Sequence, residues 1–303
     1  MGLKGSLRNV SAGVFGIPDP KVAYGGADNN TYLNDVSDGS LVQTLTEAGE
    51  SVNGVALSNT HVAYGGADDN TYVHDLSDGS LVQTLTESGD TVDGVALSDT
   101  HVAYGGRDDN TYVHDLSDGS LVHTLTESGD SVNDVGLSDT HVAYGGRDEN
   151  TYVHDVSDGS LVQTLTESSA VVFGVALSDT HVAYGAGSFD NNTYVHDVSD
   201  GSLVQTLTEA GGDDVEDVAL SDTHVAYCEG FDGDKTYVHD LSDGSLVQTL
   251  TESGDRLRGV ALSDTHVAYG GDDENTYVHD LSDGSLVQTL TESGDTVRDV
   301  ALL

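Results

Sequence analysis

The chain predicts an all-β fold, a seven-bladed β-propeller of four-stranded antiparallel blades, and three observations predict it. The triplet Val-Ala-Tyr begins at Val22, Val62, Val102, Val142, Val182, Val225 and Val267, at spacings of 40, 40, 40, 40, 43 and 42 residues. Copies at that period are the mark of a repeat architecture in which each copy is one supersecondary unit. Within each copy, four short apolar or alternating runs are separated by turn residues, with Asp-Gly between the third and fourth. Asp-Gly between strand-like runs is a strong hairpin signal. No segment carries an apolar stripe of helical period.

In the third copy the elements run in order. "VDGVALS", ending at Ser98, is strand A; after "DT" comes "HVAYGG", strand B. "RDDN" leads into "TYVHDLS", strand C, and Asp118-Gly119 turns the chain into "SLVHTLT", strand D, ending at Thr126. Four strands joined by tight turns form a meander, not a solenoid coil, and seven such sheets close into a ring. Strands B to D occur seven times but A-like segments eight times: "AGVFGIP" at 12–18 and "TVRDVALL" at 296–303 compete for blade 1. The C-terminal copy matches the consensus better and is expected to clasp the ring shut. Residues 1–303 then form a single propeller domain whose first ten residues are irregular.

Charge sets the surface. Acidic residues number 53 against nine basic ones, a formal charge of −44, and lysine occurs only at positions 4, 21 and 235. Such a surface repels itself unless salt screens it, which predicts adaptation to high salt. It also argues against nucleic acid or an anionic membrane as partner. Cys228 is alone, so no internal disulfide forms and a reducing compartment is expected. The N-terminal stretch lacks a signal-peptide core, and no apolar run reaches membrane-spanning length. A cytoplasmic monomer is the expectation.

The repeat "VDGVALS…HVAYGGRDDNTYVHDLSDGSLVHTL" resembles the WD40 repeat over about residues 10 to 303. His114-Asp115 stands where that family has Trp-Asp, and Asp108 where it has its tight-turn aspartate. Tyr104 and Ser128 depart from the family's serine or threonine and its Gly-His histidine, so the family's internal hydrogen-bond network is absent as such. A substitute among Asp108, Tyr104 and His114 is expected.

Other site chemistries are weakly signalled. Six histidines begin strand B and six precede the strand C aspartate. Each set is spread around the ring by the blade repeat, whereas zinc needs ligands converging on one point. The Asp-rich loops lack the alternating ligand spacing of a calcium loop. There is no nucleophile elbow or P-loop, and no tryptophan to stack a quinone. No metal, cofactor or catalysis is expected.

Differences among the copies concentrate on one face. The A–B and C–D turns share a nearly constant face, whereas every length change falls in the B–C and D–A connections: "GAGSFDNN" at 185–192, "CEGFDGDK" at 228–235, and "EAGGDDVED". Loops on a rigid scaffold are the usual seat of binding residues. Phe173, Phe189 and Phe231 lie there, as do Arg107, Arg147, Lys235, Arg256, Arg258 and Arg298. Aromatic residues and arginine dominate binding hot spots. These nine residues predict a partner-binding patch for a protein or peptide, with Arg256, Arg258 and Arg298 as a basic island. The expected function is a non-catalytic interaction scaffold; the alternative is an enzyme or small-ligand binder at the channel mouth.

Overall fold

A computed structural model describes residues 20–187, 189–209, 213–230 and 233–303. Among them, 28 strands form seven four-stranded antiparallel sheets, with no helix and thus none able to cross a membrane. Blade 2 runs through strand A (Val52–Leu57), B (His61–Gly66), C (Thr71–Asp75) and D (Leu81–Leu85), and blades 3 to 7 repeat that order. Blade 1 joins Lys21–Gly26, Thr31–Asp35 and Leu41–Leu45 to the C-terminal strand Val297–Leu302, so the last strand closes the first blade. In that seam Ala23 faces Ala301 and Tyr24 faces Val300. The N-terminal competitor at 12–18 and the first ten residues lie outside the described residues.

Burial explains the strand sequences. Strands B and C are covered on both faces by neighbouring blades, so they read as near-continuous apolar runs. Val, Ala and Tyr of each Val-Ala-Tyr are fully buried. Strand D is the outer edge and leaves Leu81 and Val82 exposed. The core is distributed over the seams between blades: Ala23, Leu33 and Leu45 of blade 1 pack on Val52, Val62 and Tyr64 of blade 2. Fully burying one such aliphatic side chain contributes about 1.5–3 kcal/mol. Each blade therefore depends on its neighbours, and closure matters to all of them.

A hydrogen-bond network fills the place of the missing WD40 one, with a different acid from the expected one. In blade 3, Tyr104 Oη donates to Glu87 Oε2 (3.0 Å) and lies 3.1 Å from His114 Nε2. His114 Nδ1–H donates to the Gly119 carbonyl at 3.1 Å. Glu87 arrives from the connection that precedes the blade, so the triad pins that connection to strands B and C. Asp108 instead accepts from Tyr112 Oη (2.6 Å) and the Gly89 N–H. The reason is reach: Tyr104 Oη comes within hydrogen-bond distance of Glu87, while Asp108 sits in the B–C turn within reach of Tyr112. Blades 2 and 4 to 7 carry the same triad. In blade 1, Asn34 replaces the histidine and its Oδ1 is buried without a partner.

Candidate functional site at the channel mouth

Strand A lines the channel, and a β-bulge decides which residues face it. In blade 3, Val92 pairs with Gly106 and Gly94 with Gly105, leaving Asp93 unpaired; all seven A strands skip the equivalent residue. A bulge inserts one extra residue and re-aims side chains. Two consecutive positions consequently reach the lumen. The second strand A position reads Arg298, Asn53, Asp93, Asn133, Phe173, Glu216 and Arg258 around the ring. All seven, with Arg107 and Arg147 from the B–C loops, line one cavity of about 300 Å³.

The third strand A position reads Asp299, Gly54, Gly94, Asp134, Gly174, Asp217 and Gly259. Each aspartate reaches across a seam. Asp299 Oδ2 accepts from Val55 N–H (2.6 Å), Asp134 Oδ2 from Val175 N–H (2.7 Å), and Asp217 Oδ2 from Val260 N–H (2.8 Å). All three border the same cavity. Burial above all pushes the Asp134 carboxyl up to about 8, against the pull of the Val175 N–H. Burial, then the charge of a neighbouring aspartate, holds Asp217 and Asp299 well above the usual carboxylate range.

The basic residues gather on the expected face, but most are neutralised. Arg107 Nε lies 3.1 Å from Asp93, and Arg256 Nη2 lies 2.6 Å from Glu216. Arg258 holds Asp272 through both Nε and Nη2. Lys235 Nζ is 3.6 Å from the buried Glu229. The expected basic island of Arg256, Arg258 and Arg298 is therefore corrected: two of its members are spent on local carboxylates. Arg298 differs: among the described residues its guanidinium donates to Asn53 Oδ1 (2.6 Å) and to no carboxylate. Burial, followed by the charge of nearby Arg258, lowers its pKa. The Arg147 guanidinium has no ion-pair or hydrogen-bond partner among the described residues.

The aromatic residues divide. The Phe173 ring lies against the Cα of Gly187, where a Cβ would meet it at 2.2 Å. Phe189, two residues further along that loop, is 98% exposed at a φ of 90°. A bulky residue with positive φ is a strained conformation. Phe231 lies outside the described residues.

A rule within the repeat escaped sequence reading. In blades 3, 5, 6 and 7 the second strand A residue meets the first B–C loop residue of its own blade. Blade 3 pairs Asp93 with Arg107, and blade 7 pairs Arg258 with Asp272, the same ion pair with its partners exchanged. Phe173 and Glu216 are met by Gly187 and Gly230. The signal was available as covariation between positions fourteen residues apart, Asp93 with Arg107 and Arg258 with Asp272.

No family model matches the chain, and no curated protein matches it. Among solved structures, it is similar to the computationally designed Ika8 protein, at 21% identity and a TM-score of 0.72, covering 92% of this chain and 86% of that one. At that identity the likeness shows the fold alone: the chain is a seven-bladed β-propeller.

Proposed function

We propose that the chain is a non-catalytic interaction scaffold that binds a protein or peptide through the face formed by its B–C and D–A connections. We read it as a WD40-like repeat in which His-Asp replaces Trp-Asp, acting in the cytoplasm at high salt. The observation that carries the binding face is Phe189, fully exposed on a strained turn of the blade 5 B–C loop. Exposing a large aromatic costs hydrophobic free energy that a partner's surface recovers. Affinity capture from native lysate at high salt tests the reading. The intact chain is expected to retain a partner that Phe189→Ala releases, with the melting temperature unchanged. An identical captured set from both proteins would count against it. The small-ligand alternative draws on one observation, the cavity of about 300 Å³ over the channel.

A further inference from the structure

The chain holds 53 acidic residues and nine basic ones, so an arginine with no carboxylate in hydrogen-bond or ion-pair contact among the described residues is an anomaly. Two such arginines line the channel mouth, and the pairing rule shows how each was left over. In blade 4 the loop arginine, Arg147, shares the cavity with Asn133, which stands where blade 3 has Asp93. In blade 1 the position equivalent to Asp272 of blade 7 is Ala27, so the strand arginine, Arg298, has no loop carboxylate there. Across the next seam Arg298 finds Asn53, again a neutral amide. Asparagine has the shape of aspartate without its charge, so in both places the directly paired counter-ion is missing, and Asp93 acts on the two arginines only through its field.

We propose that the channel mouth binds a carboxylate, carried by an acidic peptide side chain or a peptide C-terminus, engaged by Arg298 and Arg147 with the Phe173 ring as apolar wall. The proposal deepens the scaffold reading and rests on it for the peptide's source. Guanidinium forks match carboxylates in a bidentate geometry. Arg298 is half-buried and has used one of its N–H groups on Asn53, so its remaining donors are available. A single negative charge suits the site better than a phosphate dianion, because Asp93 and Glu216 stand in the same wall. The three part-buried aspartates of the same cavity oppose an anion less than their number suggests, since desolvation favours their neutral form.

The test is calorimetric titration with inorganic phosphate and with three peptides of equal length: one with acidic side chains and an amidated C-terminus, one neutral with a free C-terminus, and one neutral and amidated. Salt of about 0.5 M screens the acidic surface. The expected result is saturable one-to-one binding of a carboxylate peptide and none of the neutral amide, with the responding arm naming the source. Asn53→Asp with Asn133→Asp supplies the missing counter-ions and is expected to weaken binding roughly tenfold or more. Arg298→Ser with Arg147→Ser is expected to do the same, and melting temperatures establish that both variants fold. Absence of saturable binding to either carboxylate peptide, an affinity unchanged in the arginine variant, or preference for inorganic phosphate overturns the proposal. Peptide binding by a chain that captures no protein partner would leave the carboxylate site standing and remove the scaffold reading.

Discussion

At the scale of single residues, buried polar groups carry the specificity of the blade. Tyr104 bridges Glu87 and His114, and its phenol is pushed well up by burial and by the glutamate. Removing the bridge leaves two polar groups short of a partner. Tyr104→Phe is expected to cost about 1–3 kcal/mol, read from the denaturant midpoint, and a change within error would show the triad to be idle. The three channel aspartates give a pH dependence of determined sign. Their folded pKa is raised, so the ring binds these protons more tightly than the unfolded chain does. That stabilisation is complete below about pH 4, the ordinary carboxylate value, and is lost as pH rises toward about 8 for Asp134. Asp134→Asn is therefore expected to shrink the fall in melting temperature between those pH values, whatever its effect on the absolute level. An unchanged slope would contradict the burial argument. None of the three was legible beforehand, because in so acidic a sequence a channel aspartate looks like any other.

At the scale of the strand, closure was legible and the bulge was not. Of the two A-like segments competing for blade 1, the C-terminal copy matches the consensus better, and Val297–Leu302 pairs there. Deleting residues 296–303 is expected to expose the edge of Lys21–Gly26 and cause aggregation visible by light scattering, since unpaired edges invite association. Deletion of 1–16 is expected to do much less; equal damage from the two would overturn the closure argument. The bulge escaped because strict alternation assigns consecutive residues to opposite faces, whereas here Arg298 and Asp299 both line the cavity. It also explains why Asp and Gly alternate at the third position. A Cβ on Gly94 would lie 2.6 Å from the Cα of Asp134, and one on Gly174 equally close to that of Asp217. No blade can carry a side chain immediately before an aspartate blade, and a ring of seven admits at most three such blades, the number present. Gly174→Ala is accordingly expected to destabilise the ring by about 1–3 kcal/mol through overpacking. A neutral outcome in chemical denaturation would contradict that steric reading.

At the scale of the whole molecule, a charge of −44 surrounds one face on which basic residues gather. Screening should matter to the ring as a whole: the melting temperature is expected to rise from about 0.1 M to several molar KCl. A flat or falling curve would remove the high-salt reading. The face itself was visible in the sequence through its loop lengths and its aromatic and basic residues. Which arginines remain free was not, because pairing depends on side chains brought together across the bulge. The binding face is tested most directly by comparing the affinity of a captured partner for two variants: Phe189→Ala combined with Arg298→Ser, and Asp118→Asn combined with Asp158→Asn on the opposite face. The account predicts a loss of tenfold or more, about 1.4 kcal/mol, for the first variant and none for the second. Loss confined to the second, or to neither, would contradict it.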